Sequence, residues 1–235
     1  ADAPFRVDVA GDAVTPRRLA ALLAGRAGGL DSTASSDVLV YLTGHGGDEF
    51  LKFHDVDDLS AHELAAAATE ARAKRRFGRL VVLADTCQAG SLFRHLELGR
   101  QSRAGGAMPK ILGIGSSRPG ENAYAAPPDP DLGVSRADRF TLHLDAYFRR
   151  ATDVGVRRDA RTTTQNATLD ALVAALRRAP TRSTLDVHDA AWHDDDDDVP
   201  RARRVWERLL ATSAPADARV ARYRLPPPPP PPPRP

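Results

Sequence analysis

Two stretches decide the fold. The first is Asp37-Val38-Leu39-Val40-Tyr41-Leu42-Thr43-Gly44-His45-Gly46-Gly47. The second is Leu80-Val81-Val82-Leu83-Ala84-Asp85-Thr86-Cys87-Gln88-Ala89-Gly90. Each is an apolar run suited to a buried parallel strand, and each breaks into a short loop. Between them, Ser60 and Glu63 have the spacing of a capping box, which predicts a helix from about Ser60 to Phe77. The order is strand, histidine loop, helix, strand, cysteine loop. Such a crossover makes parallel strands of nearly fixed hand, and both strands then end on the same edge of the sheet. His45 and Cys87 are therefore expected to face each other across one cleft.

Working outward, Phe5 to Val9 alternates apolar and polar residues like a half-exposed strand. Thr15 and Pro16 read as the cap and first residue of a helix over Arg17–Arg26. Glu49 to Phe53 suits a small hairpin or an extended flap. Beyond Cys87, Ser91–Leu98 reads as helix and residues 99–109 as loop. Ile111 to Gly115 is a third buried strand, ending in Ser116-Ser117, with a long Pro-rich loop after it. Helices are expected over Arg136–Arg150, with Phe140, Leu144, Tyr147 and Phe148 on one face, and over Thr168–Arg178. The domain is expected to end near Val187, leaving 188–235 as a low-complexity tail. That tail holds the aspartate run 194–198, a marginal basic helix over Arg201–Leu210 and the polyproline II stretch Pro226–Pro233.

Composition bounds the function. The 235 residues are 42% hydrophobic, enough for a core in one α/β domain plus extensions. A net charge of +2 implies no general attraction to nucleic acid or anionic membrane. The single cysteine rules out an internal disulfide and turns the question to reactivity. No apolar run is long enough to span a bilayer. A chain opening at Ala1, close to a strand, reads as a fragment or processed piece.

The chemistry follows from the pair. A thiolate, not a thiol, is the nucleophile. His45 can accept the Cys87 proton, and the N-terminus of the following helix favours an anion. Asp85 opposes it, unless its carboxylate turns sideways into a substrate pocket. The amides of Gly46 and Cys87 are natural oxyanion donors, a contribution of roughly 3–4 kcal/mol to the barrier. The implied reaction is acyl transfer through a thioester. Taken singly, a cysteine after a strand is usually a small buried hydrophobe, and a histidine among glycines a turn residue. Their shared place at two adjacent strand ends is what favours catalysis.

The residues go further. Val38 to Phe53, through Gly44-His45-Gly46-Gly47 and Phe50-Leu51-Lys52-Phe53, closely resembles the histidine segment of catalytic subunits of GPI-anchor transamidases. Asp85 to Ala89 resembles their cysteine segment. The similarity runs on through Gly115-Ser116-Ser117, Gly120-Glu121, Pro128-Asp129-Pro130 and Asp138-Arg139-Phe140-Thr141. Gly-His-Gly alone is shared with legumains, caspases and metacaspases. The run through Phe-Leu-Lys-Phe is more specific.

This resemblance, to peptidase family C13 in the legumain and caspase clan, implies a caspase-like three-layer α/β fold over residues 1–187. Its mostly parallel sheet is flanked by helices. It implies a Cys87–His45 dyad, an oxyanion site at Gly46, and substrate contacts from Asp85 and Ser116. The implied activity removes the C-terminal signal of proproteins and passes the new C-terminus to the ethanolamine amine of a GPI lipid. Other membrane subunits are implied as partners, with the enzyme at the lumenal face of the endoplasmic reticulum. Neither metal nor organic cofactor is implied. Relative to that family the chain reads as truncated at its N-terminus. Two alternatives stay open: a legumain- or metacaspase-like endopeptidase, and an inactive relative that only interacts.

Minor features complete the reading. Asn166-Ala167-Thr168 is a glycosylation sequon, though Thr168 also suits a helix cap. His188 and His193 beside the aspartates read as a solvated linker rather than a metal site. His54, His62, His95 and His143 have no partner motif and read as surface or helix residues. The polyproline run is a spacer or a ligand for aromatic grooves.

Overall fold

The computed structural model describes residues 9–26, 30–96, 110–156 and 169–190. In chain order it contains α1 (Pro16–Leu23), β1 (Asp37–Thr43), β2 (Gly46–Gly47), β3 (Phe50–Phe53), β4 (Asp57–Ser60) and α2 (Ala61–Ala73). There follow β5 (Arg79–Asp85), a 3-10 segment at Ala89–Phe93, β6 (Lys110–Gly115), α3 (Arg139–Val156), α4 (Leu169–Arg178) and β7 (Asp186–Ala190). The main sheet has the order β1-β5-β6-β7. Its first three strands are parallel and β7 is antiparallel. A small antiparallel sheet, β2-β3-β4, stands beside it.

Local signals account for the helices. Thr15 accepts the Arg18 N–H at 3.1 Å and Pro16 opens α1. Ser60 and Glu63 form the reciprocal capping box of α2. Strand alternation then sorts the core into two layers. Val38, Val40, Leu80 and Val82 pack with Leu64, Ala68 and Phe77 on the α1/α2 side. Val81, Leu83, Leu112 and Ile114 pack with Phe140, Leu144, Leu172 and Leu176 on the α3/α4 side. The result is a three-layer α/β fold with a mostly parallel central sheet, consistent with the caspase-like fold expected.

Several expectations need correction. β1 is not buried on both faces: it ends the strand order, and Leu39 and Tyr41 are 38% and 40% exposed. In place of the helix expected over Ser91–Leu98, the described residues 88–96 hold a 3-10 segment at Ala89–Phe93 with Gln88 left-handed before it, and no α-helix starts among them. α3 extends six residues past the expected Arg150. β4 and β7 escape the sequence pattern because Asp57-Asp58 and Asp186-Val187-His188-Asp189 are too polar to read as strand. β7 runs to Ala190 and places His188 opposite Gly113 rather than in a linker. The strand over Phe5–Val9 (apart from Val9), the loop 99–109, Asn166 and residues 191–235 lie outside the described residues.

The 3-10 segment lies close on β6 because two glycines make room. A Cβ on Gly113 would stand 2.7 Å from the ring of Phe93, and one on Gly115 2.9 Å from the Gly90 nitrogen. Phe93 is fully buried, so its ring has little room to retreat. Gly113→Ala is expected to lower the unfolding free energy by about 1–3 kcal/mol, the usual cost of overpacking. A urea titration with unchanged slope and a lower midpoint would bear this out; an unchanged midpoint would refute the packing argument.

Candidate active site

The β1–β5 register sets the site. Thr43 pairs with Asp85, and the Gly44 N–H donates to the Asp85 carbonyl at 3.3 Å. Each chain then leaves the sheet, and two residues further on stand His45 and Cys87. The two loops thus leave one edge at the same level, as the sequence predicts. His45 is exposed and Cys87 half-buried. His45 borders a cleft of about 560 Å³ whose apolar wall includes Leu19, Leu22, Leu51 and Phe53. A second cleft, of about 400 Å³, opens at the same edge between Tyr41, Thr43, Asp138 and Thr141.

Direct contacts hold the loops together. Gly46 lies so close to the cysteine loop that a Cβ there would come within 2.4 Å of the Thr86 hydroxyl and 2.6 Å of the Phe50 carbonyl. Ser91, fully buried, reaches from one loop to the other. Its hydroxyl accepts the Glu49 N–H at 2.7 Å and lies 3.2 Å from the Gly47 carbonyl and 2.7 Å from the Gln88 carbonyl, either of which can take its proton. The sequence reading missed Ser91, since nothing local marks a serine that bonds across 42 positions.

The cysteine turn is built so that one amide is left over. Thr86 N–H donates to Ser116 Oγ at 3.2 Å, and Ala89 N–H to Ser117 Oγ at 3.1 Å. Gln88 N–H donates to the Glu121 carbonyl at 2.8 Å, and Gly90 N–H to the Ser117 carbonyl at 2.9 Å. Ser91 N–H donates back to Gln88 at 2.8 Å. Between 86 and 91, only the Cys87 N–H has no acceptor among the described residues. On the other loop, Lys52 N–H donates to the His45 carbonyl at 2.8 Å. Hydrogen-bonded pairs alternate with non-bonded ones in an antiparallel ladder, so the next pair, Gly46–Leu51, turns its Gly46 N–H away from β3.

Asp85 and Ser116, expected as substrate contacts, are both buried beside the cysteine turn. Asp85 is 0% exposed. Its Oδ2 accepts the Thr141 hydroxyl at 2.6 Å and the Thr141 N–H at 3.1 Å, and Thr141 also bonds the Tyr41 hydroxyl. Ser116 is 1% exposed and bonds Thr86 as a strut beneath the cysteine turn. Asp85 thus links the end of β5 to Thr141, and Ser116 links the end of β6 to the Thr86 backbone. Burial pushes the Asp85 carboxyl above its ordinary 3.8; the Thr141 and Ser116 bonds pull it partly back, and Asp138 adds repulsion.

A further group of side chains was unforeseen. His62 and His95, expected as unrelated surface or helix residues, stack with ring centroids 3.8 Å apart. His95 Nε2 lies 3.0 Å from Glu49 Oε2, and Arg94 pairs with the other oxygen of Glu49. His95 and Arg94 hold the Glu49 carboxyl below the usual carboxylate value.

The sequence of this chain matches the Peptidase C13 family over residues 2–155. A protein of Drosophila melanogaster is 38% identical over 151 residues, 61% of this chain and 40% of its own length. The GPI-anchor transamidase of Schizosaccharomyces pombe is 36% identical over 118 residues, 50% of this chain and 28% of its own. That of Homo sapiens is 37% identical over 109 residues, 46% of this chain and 25% of its own. The chain thus spans between 25% and 40% of the length of these curated relatives.

Two outcomes test this geometry. Ser91→Ala removes the hydroxyl that accepts the part-buried Glu49 N–H and gives its one proton to the Gly47 or Gln88 carbonyl, and should cost about 1–3 kcal/mol of stability in chemical denaturation. A change under 0.5 kcal/mol, within the usual surface range, would remove Ser91 from this role. For Asp85 the sign follows from its raised carboxyl. The folded state binds the proton more tightly than the unfolded one, so its contribution is fully present below 3.8 and lost as pH rises through the raised value. The stability difference between Asp85→Asn and the parent should therefore move in the variant's favour across that window. Parallel pH curves would contradict it.

Proposed function

Because the chain belongs to the peptidase C13 family, we propose that it is the catalytic part of a GPI-anchor transamidase, with Cys87 as nucleophile and His45 as base and acid. One observation carries this most directly: the thiol and the imidazole follow register-matched strand ends, beside a Cys87 amide that has no acceptor among the described residues. The relatives named GPI-anchor transamidase favour transfer over hydrolysis.

The reaction runs in balanced steps. His45 takes the Cys87 proton as Sγ adds to an amide carbonyl carbon. The oxyanion settles between the amides of Gly46 and Cys87. As the tetrahedral centre collapses, the C–N bond breaks and His45 returns the proton to the departing amine, which carries the C-terminal signal. A thioester remains. The ethanolamine amine of a GPI lipid then adds to it, gives a proton to His45, and expels the Cys87 thiolate, which recovers that proton from His45. Neither a metal nor an organic cofactor enters these steps. The exposed position of His45 on a 560 Å³ cleft suits entry of a second nucleophile from outside. The substrates are the signal-bearing proprotein and the lipid, presented by other membrane subunits at the lumenal face of the endoplasmic reticulum. Asp85 and Ser116 contribute by holding the cysteine turn and the wall of the second cleft.

The test places the matched segment into a full-length relative and asks for rescue of yeast cells lacking their own catalytic subunit. The readout is GPI-anchored protein at the surface. Rescue should occur and vanish in Cys87→Ala and in His45→Ala. Rescue that survives Cys87→Ala would overturn the nucleophile. A peptide assay with hydroxylamine separates the alternatives: hydroxamate formation supports transfer, and cleavage with water alone as acceptor identifies an endopeptidase. No reaction in either assay, with the chimera stably expressed, identifies an inactive relative.

A further inference from the structure

Glu49, His62 and His95 come from three separate places. Glu49 stands in the β2–β3 turn, four residues after His45; His62 is the second residue of α2; His95 follows the 3-10 segment beyond Cys87. One ligand atom from each lies within 4.8 Å of the others. We propose that these three side chains bind a divalent transition metal ion of the zinc class, which clamps the histidine loop to the segment after the cysteine.

The donor set suits such an ion. Two imidazole nitrogens and one carboxylate oxygen fill three positions of a tetrahedral site, and water can take the fourth. With bonds of about 2.0–2.1 Å, tetrahedral ligand atoms stand about 3.3 Å apart. The present separations need a modest contraction, and His62 is exposed and can rotate. The surrounding shell is also in place. Arg94 holds the second oxygen of Glu49 and lies 3.4 Å from Asp48, so the carboxylate is oriented and the guanidinium charge is offset.

The backbone gives an independent reason. Glu49 has φ +63°, a left-handed conformation that glycine adopts at no steric cost and glutamate does not. The preceding Asp48 makes this a two-residue hairpin turn, where glycine is the favoured second residue. A glutamate stands here against that preference, and its carboxylate reaches His95 and Arg94. Strain of this kind points to a role for the side chain. The site lies outside the dyad and does not depend on the transfer chemistry.

Cobalt(II) is the probe, since its visible absorption reports coordination geometry. The full chain, with Cys87→Ser to remove the thiol as a competing ligand, is titrated with cobalt and back-titrated with zinc. The expected result is saturable binding of one equivalent, displaced by zinc and weakened about tenfold or more in His62→Ala and in Glu49→Gln. His54→Ala, on the exposed β3–β4 turn, should bind as the parent does. Zinc should raise the melting temperature of the parent and leave that of His62→Ala unmoved. Because His62 is exposed, that variant folds irrespective of the outcome. Equal cobalt affinity in the parent, His62→Ala and Glu49→Gln would place the binding elsewhere and overturn the proposal. Absence of saturable binding in the parent would do the same.

Discussion

The parallel register between β1 and β5 is the constraint on which the rest depends. A slip of one residue would shift one loop by about 3.3 Å and turn every side chain of the strand to the other face. β5 cannot fix that register alone, since it is buried on both sides and either face would accept its apolar residues. β1 fixes it from one side, because only Val38, Val40 and Leu42 are buried and Leu39 and Tyr41 are not. Polar contacts hold both ends. Arg79 pairs with Asp37 at 2.8 Å where the strands begin, with both side chains largely buried. Gly44 bonds the Asp85 backbone where they end. His45 and Cys87 inherit their common level from these contacts.

Above that edge the loops are ordered by hydroxyls rather than by apolar packing. Ser91, Ser116 and Ser117 are buried, and each bonds backbone of a loop distant in sequence. A hydroxyl suits this task because it both donates and accepts and occupies little more space than a methyl group. The turn after β5 needs such partners because its 3-10 geometry satisfies few of its own amides. Once Ser116, Ser117 and Glu121 have taken theirs, the Cys87 N–H is left without an acceptor among the described residues. The same arrangement explains the close approach of Gly46 to Thr86, where any side chain would force the loops apart.

How much of this was legible follows from the range of each signal. The apolar runs at 38–42, 80–84 and 111–115, the Ser60 cap and the Thr15-Pro16 start are local, and each element appears where the sequence puts it. Strand ends place His45 and Cys87 on one edge by topology alone. The misses are non-local. β4 and β7 carry aspartates that read as loop, and only pairing with β3 and β6 makes them strands. The helix expected after Cys87 has adequate propensity, but tertiary contacts with Glu49, Gly47 and β6 hold its first turn as 3-10. Glu49, His62 and His95 are ordinary residues until the fold assembles them.

The position of Asp85 shows why a costly group can still belong in such a site. Burying a carboxylate is costly, and Asp85 is 0% exposed. Asp85 also contributes something that no apolar residue could. α3 begins at Arg139, and the first amides of a helix have no partner of their own. Asp85 Oδ2 takes the Thr141 N–H at 3.1 Å, capping α3 from the end of β5 and lying at the positive end of its dipole. Thr141 then carries the link on to Tyr41 in β1. One carboxylate thus ties β5, β1 and α3 together at the edge where the cysteine turn departs. Its charge is directed toward the helix amides, where it is partly neutralised. The geometry keeps the acid as a structural anchor at the edge from which the loops of His45 and Cys87 depart.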